Sequence, residues 1–72
     1  MALSKSPSVH KKIEVVGTSS KSFAEAAQTA VERAAASVRN HEGFEVTELR
    51  GRIKGTRSAE FQVTVKIGFK LD

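Results

Sequence analysis

The sequence predicts an α+β domain of the order β-α-β-β, in which a three-stranded antiparallel sheet wraps around one helix. Three observations lead to this prediction. A segment beginning at Ser22 has the capping residues and the apolar periodicity of a helix. A segment rich in β-branched residues precedes it, and two segments with strand-like alternation follow it.

The first strand is predicted over residues 9–16, because VHKKIEVV is rich in β-branched residues. Residues 17–20, with the sequence GTSS, are expected to form a loop that leads into the helix. Residues 1–8 are rich in serine, hold the single proline and show no periodicity. We therefore expect a flexible, basic tail over residues 1–8 and one folded domain over residues 9–72.

The helix is predicted to begin at Ser22, where a capping box is expected. In that arrangement Ser22 accepts from the backbone N–H of Glu25, and the Glu25 carboxylate accepts from the backbone N–H of Ser22. Asn40 and Gly43 are expected to end the helix. The predicted buried face consists of Phe23, Ala26, Ala27, Ala30, Val31, Ala34 and Val38. Because most of these residues are alanines, a sheet can approach this helix closely.

The second strand is predicted over residues 44–54, and its apolar residues change from even to odd positions partway along. Phe44 and Val46 would point to one face of a regular strand, and Leu49 and Ile53 to the other. One extra residue at position 47 or 48, as in a β-bulge, removes this conflict. Such a bulge also places Arg50 on the same face as Gly43 and Glu45.

The last strand is predicted over residues 59–71, where apolar and polar residues alternate strictly. At about 3.3 Å per residue it spans roughly 43 Å. A domain of this size has a diameter of about 27 Å. The strand must therefore curve or project, and we expect it to form an apolar edge that partner subunits cover.

The composition also favours self-association. A 72-residue chain buries only about 60% of its unfolded surface. The chain has no cysteine, and its two histidines, His10 and His41, lie far apart, so neither disulfides nor a metal site is expected to supply the missing stability. No apolar run approaches the length of a membrane span, and the N-terminus lacks the apolar core of a signal peptide. A cytoplasmic protein without membrane contacts is expected.

The charge distribution argues against nucleic-acid binding. Three of the four net positive charges come from Lys5, Lys11 and Lys12, so the remainder of the chain is nearly neutral. A basic run near the end of the second strand lacks the aromatic residues on which bases stack. This run consists of Arg50, Arg52, Lys54 and Arg57. No set of residues with the pattern of a catalytic triad, a nucleophilic cysteine or a phosphate loop is present, so an enzyme is not expected.

The segments GTS, FEVTELRG, FQVTVKIGF and FKLD, in this order and spacing, resemble the dodecins over residues 11–72. The resemblance implies the dodecin fold and a hollow homododecamer with 23 symmetry. It also implies a non-enzymatic role in storing flavins, either riboflavin, FMN or FAD. In this family the flavins lie in pairs near two-fold axes, between symmetry-related subunits.

The resemblance also implies site residues. Gln62 matches a glutamine that hydrogen-bonds the polar edge of the isoalloxazine, and Arg50 matches an arginine at the ligand pocket. Gly43 stands where well-known members have the tryptophan that stacks on the flavin. Some relatives carry the aromatic residue two positions later, which here is Glu45. Since this chain has no tryptophan, flavin binding is expected to be roughly 5- to 150-fold weaker.

The same residues also fit other interpretations. Arg50 also fits a solvated strand residue or an ion pair with Glu45 or Glu48, Gln62 also fits an ordinary polar position on a strand, and Gly43 also fits a helix terminator. The alternative function is a dodecameric shell that has lost flavin binding. Such a shell would bind coenzyme A, ions or an acidic partner through its basic tail and hairpin.

Overall fold

The structure is a computed structural model that describes residues 7–71. The elements are β1 (His10–Ser19), α1 (Phe23–Ala35), β2 (His41–Lys54) and β3 (Arg57–Lys70). The predicted β-α-β-β order and the three-stranded antiparallel sheet are confirmed. Most of the tail predicted over residues 1–8 lies outside the described residues. Within residues 7–71, no helix is long and apolar enough to cross a membrane.

The strand order in the sheet is β1-β3-β2, so β3 is the central strand. The expectation that the last strand forms an exposed edge is therefore wrong. β3 pairs with β1 on one side and with β2 on the other, and α1 covers the helix-facing side chains of Val63, Val65 and Ile67. The edge strand with exposed apolar residues is β2 instead.

β1 is longer than predicted, because it continues through residues 17–19. Gly17, Thr18 and Ser19 pair with successive residues of β3 up to Phe61, so the long central strand extends the ladder through the segment predicted as a loop. Gly17 lies directly beneath α1. A Cβ atom at this position would overlap the backbone oxygen of Ala26.

This close approach defines the core. α1 contributes only alanines to the fully buried set, and β3 contributes the larger side chains that pack against them. Small residues on the helix and a glycine on the strand allow the two backbones to lie near each other. The buried apolar residues are Ala26, Ala30, Ala34, Val63, Val65 and Ile67.

The start of α1 differs from the predicted capping box. Ser22 Oγ accepts from the backbone N–H of Glu25 at 3.0 Å, as predicted. The Glu25 carboxylate, however, accepts from the hydroxyl of Ser19 at 2.5 Å and not from the backbone N–H of Ser22. Ser19 Oγ itself accepts from the backbone N–H groups of Lys21 and Ser22. The buried Ser19 hydroxyl thus takes the place of the carboxylate in the capping box.

The helix also ends earlier than predicted, at Ala35. The backbone N–H and the hydroxyl of Ser37 both donate to the carbonyl of Ala34, at 3.0 and 3.1 Å. Such local bonds compete with continuation of the helix. Asn40, with a φ of 59°, lies beyond the helix end, and Gly43 lies within β2 and does not terminate the helix.

Since α1 lies over β1 and β3, the helix-facing side of β2 is largely uncovered. Its large apolar residues are exposed by 43–76%. The chain is elongated, with extents of 57 × 19 × 17 Å, in line with strands that project beyond the helix. The uncovered residues are Phe44, Val46, Leu49 and Ile53.

We predict that Gly17→Ala destabilises the fold by about 1–3 kcal/mol, because the added methyl group overlaps backbone atoms that cannot move independently. Gly68→Ala is the matched control. It also lies within a strand, but its Cβ would meet nothing within 4 Å. Thermal or urea unfolding of both variants measures the difference. Equal unfolding midpoints for the two variants would show that the contact beneath α1 is not tight.

Candidate functional site

A β-bulge in β2 determines which side chains share a face with the candidate site. Val46 pairs with Val65 and Glu48 pairs with Thr64, so Thr47 is an extra residue between two consecutive positions of β3. The bulge predicted from the change in parity is confirmed. As a result, Arg50 lies directly opposite Gln62 in the neighbouring strand.

The sheet face turned away from α1, here called the outer face, is built from cross-strand rows. Each row contains one residue from β2, one from β3 and, along most of the sheet, one from β1. From the hairpin end, the rows are Arg52–Glu60, Arg50–Gln62–Thr18, Glu48–Thr64–Val16, Glu45–Lys66–Glu14 and Gly43–Gly68–Lys12.

In the last of these rows β2 and β3 contribute no side chain, because Gly43 and Gly68 lie side by side. A Cβ atom at Gly43 or at Gly68 would meet nothing within 4 Å, and neither glycine has a positive φ. A Cβ atom at Gly43 is therefore accommodated without strain in this chain. Gly43, where the resemblance leads us to expect a stacking aromatic residue, therefore has free space around its Cα atom.

The four predicted site residues form two separate pairs. Arg50 and Gln62 share one row, whereas Glu45 lies two rows away and Gly43 three rows away. Gly68, the partner of Gly43, lies six positions after Gln62 in β3, which corresponds to roughly 20 Å along the strand. One chain therefore does not bring all four residues around a single ligand.

The Gln62 side chain is half-buried and has a defined orientation. Its Nε2 donates to Oε1 of Glu60, its neighbour two residues back on the same strand, at 3.0 Å. Within the described residues, this bond assigns one amide donor and leaves the carbonyl oxygen and the second N–H for a ligand. Glu60 was not recognised in the sequence, because this contact depends on side-chain conformation and not on spacing.

Arg50 is largely exposed, and its ion pair with Glu48 is long. The Arg50 Nη1 lies 3.8 Å from Glu48 Oε2, with side-chain exposures of 65% and 50%. Exposed pairs of this kind contribute at most about 1 kcal/mol. Glu48 also accepts from the hydroxyl of Thr64 at 3.2 Å. The guanidinium can therefore leave this pair at little cost.

Glu45 pairs with Lys12 and not with Arg50. The Lys12 Nζ reaches across the central strand to Glu45 Oε1, at 3.1 Å. Gly68 and Gly43, which share the row of Lys12, place no side chains beside this bridge. His10 and Glu42 form a second ion pair, at 3.0 Å. Sequence spacing gave no indication of these pairs, since they depend on the strand order.

Within residues 7–71, no group of three or more His, Cys, Asp or Glu side chains is arranged to hold a metal ion. Two members of the basic run at the hairpin have anionic neighbours, since Arg52 lies opposite Glu60 and Arg50 lies near Glu48. Apart from the long contact of Arg50, no ion pair within the described part of the chain involves its members.

Comparison with known proteins relates this architecture to one family. Residues 9–72 match the dodecin family model. The dodecin of Thermus thermophilus is 42% identical over 64 residues, which cover 89% of this chain and 93% of that protein.

Solved structures agree in fold. The dodecin of Streptomyces coelicolor is 40% identical and superimposes with a TM-score of 0.84, covering 93% of this chain and 96% of that one. A tryptophan-to-phenylalanine variant of the Thermus thermophilus dodecin is 41% identical and gives a TM-score of 0.83, covering 92% and 98%. The Thermus protein thus has a tryptophan at a position chosen for mutation, whereas this chain has none.

Proposed function

The chain belongs to the dodecin family of non-enzymatic binding proteins, and we propose that it stores flavins within a hollow homododecamer. The observation that carries this proposal is the direct cross-strand pairing of Arg50 and Gln62 on the outer face. An amide and a guanidinium, side by side on a rigid sheet, suit a flat ligand that has both polar edges and an aromatic face.

The chemistry of the two side chains supports this assignment. The polar edge of an isoalloxazine alternates carbonyl groups with an N–H, and the free carbonyl and N–H of Gln62 complement that edge. The guanidinium of Arg50 can stack on the ring or bind the phosphate of FMN or FAD. Gly43 and Glu45 are too distant in the same chain, so a symmetry-related subunit would provide that side of the site.

The binding is proposed to be weak. Stacking of an aromatic side chain contributes about 1–3 kcal/mol, and Gly43 offers only backbone. Glu45 adds a negative charge beside that position, which disfavours an anionic phosphate nearby. Quenching of the excited flavin by electron transfer from tryptophan is not available to a chain without tryptophan.

Titration of the purified full-length protein with riboflavin and with FMN tests the proposal, with the particle mass measured by native mass spectrometry on the same sample. We expect a particle of twelve chains and saturable quenching of flavin fluorescence. An assembled particle that binds no flavin at saturating concentration would overturn the proposed ligand.

We predict that Gly43→Trp raises flavin affinity roughly 5- to 150-fold, because it restores a stacking contribution of about 1–3 kcal/mol. A Cβ atom at Gly43 would meet nothing within 4 Å, so the backbone there can carry a side chain. Gly43→Leu is the matched control, since it fills the same position without an aromatic face. Isothermal titration of both variants separates stacking from simple filling. Similar affinities for the two variants would place Gly43 away from the flavin ring.

We predict that Gln62→Leu lowers flavin affinity about 5- to 150-fold, because polar groups at the ring edge lose partners at a cost of about 1–3 kcal/mol. The other glutamine of the chain, Gln28, lies exposed on α1 and provides the control Gln28→Leu. Fluorescence titration of the assembled particles measures the effect. An unchanged affinity in Gln62→Leu would remove this residue from the proposed site.

A second candidate function follows from the basic hairpin. Arg52, Lys54 and Arg57 form no ion pair within the described residues, so they are available to an anion. The candidate is a dodecameric shell that has lost flavin binding and holds coenzyme A, ions or an acidic partner. Binding of coenzyme A that falls with salt and survives Gln62→Leu would favour this function over flavin storage.

A further inference from the structure

Glu60 differs from the other acidic residues of the described chain. Among residues 7–71 every other glutamate is exposed, whereas Glu60 is half-buried. It lies in the central strand β3, directly opposite Arg52 of β2. Within these residues no ion pair joins the two side chains. The Glu60 carboxylate is therefore directed to a partner other than the cation opposite it.

That partner is the side chain of Gln62. The Gln62 Nε2 donates to Oε1 of Glu60 at 3.0 Å. Residues two apart in a strand project from the same face at a spacing of roughly 7 Å, which two long side chains can bridge. Glu60 thus lies on the outer face, one row from the pair formed by Gln62 and Arg50.

The backbone between these two residues is held by packing and by pairing. Phe61 points to the opposite face, where its ring meets that of Phe23 on α1 edge to face, with centroids 4.9 Å apart. Gln62 is paired on both sides, with one residue of β1 and one of β2. This segment of β3 therefore keeps Glu60 and Gln62 at a constant spacing.

The chemistry of the pair determines how the amide is turned. An ionised carboxylate accepts hydrogen bonds and cannot donate them, so the nitrogen of the Gln62 amide faces Glu60. A half-turn of the amide would bring its oxygen against the carboxylate, and two acceptors repel each other. Hydrogen bonds to a charged acceptor are about twice as strong as neutral ones, which favours the observed orientation further.

We propose that Glu60 is the positioning residue of the ligand site. It holds the Gln62 amide in one orientation and thereby sets which ring edge the site accepts. An amide held in this way offers an acceptor beside a donor, so it selects a planar ring with an N–H beside a carbonyl, as in an unsubstituted cyclic imide. The inference rests on flavin binding as the proposed function and adds the residue that determines the selectivity of the site.

Arg50, the other member of the pair, is not held in this way. Its guanidinium lies 3.8 Å from the carboxylate of Glu48, and both side chains are largely exposed. It can therefore adapt to different groups attached to the ring. The selectivity for the ring edge resides in Gln62 and in the carboxylate that orients it.

Titration of the assembled full-length protein with riboflavin, and with riboflavin methylated at the imide nitrogen, tests this selectivity. The methyl group removes the N–H of the ring edge and leaves the oxygen of Gln62 without a donor. We expect the unmodified protein to prefer riboflavin by about 5- to 150-fold, as for an acceptor left unpaired in a closed site.

Glu60→Gln keeps the shape of the side chain but removes its charge, and a neutral amide can donate as well as accept. The Gln62 amide can then adopt both orientations. We expect the affinity for riboflavin to fall about 2- to 12-fold, as for the loss of one hydrogen bond. The affinity for the methylated ring should stay unchanged or rise, because the amide can turn its NH2 group toward the ring carbonyls. Structural damage would instead lower both affinities together.

The chain provides a matched control on α1, where Gln28 Nε2 donates to Oε2 of Glu32 at 3.0 Å. Glu32→Gln alters the same kind of bond outside the proposed site and should leave both affinities unchanged. A double-mutant cycle provides a second measurement. In the Gln62→Leu background, Glu60→Gln should have no further effect, because Glu60 acts only through the amide.

The possible results separate this inference from the proposed function. If the unmodified particle binds neither ring, flavin storage and the role of Glu60 fail together. If it binds riboflavin and Glu60→Gln retains the affinities of the unmodified protein, Glu60 does not position Gln62 and flavin storage stands. An equal fall of both affinities in Glu60→Gln, or a further loss when it is added to Gln62→Leu, would also overturn the positioning role.

Discussion

The structure depends on how closely one short helix can approach a much longer sheet. α1 has 13 residues and is about 20 Å long, whereas β3 has 14 residues and spans roughly 46 Å. Gly17 and the alanines of α1 bring the two backbones together over β1 and β3, and that contact leaves the helix-facing side of β2 largely uncovered. A single chain therefore cannot complete its own core, which accords with membership of a family of homo-oligomers.

Much of this arrangement could be predicted from the sequence, since parity and capping are local properties. The conflict between Phe44 and Leu49 indicated the bulge, and the bulge in turn indicated the face of Arg50. The position of β3 in the centre of the sheet could not be predicted, because its strict alternation suits an edge and a central strand equally well. The continuation of β1 through Gly17 could not be predicted either, because it depends on pairing with β3, the long neighbouring strand.

The candidate site was likewise only partly predictable from the sequence. The bulge inferred from the sequence placed Arg50 on the face of Gly43 and Glu45, and the register of β2 with β3 brings Arg50 opposite Gln62. The separation of Gly43 from Gln62, and the bridge from Lys12 to Glu45 across the central strand, require the strand order. The adjacency of Gly43 and Gly68 also depends on the strand order, so it was not predicted although both glycines are visible in the sequence.

The two faces of β2 have different roles, which explains how the chain keeps its fold with glycine and not tryptophan at position 43. The apolar residues that need a partner point toward the helix side, and the residues proposed to meet a ligand point to the outer face. A substitution at Gly43 changes a row where a side chain would touch nothing in the same chain. An aromatic ring there would meet the proposed ligand and no core residue, so its absence costs no core packing. Selection on the ligand and selection on the assembly can therefore act separately on one strand.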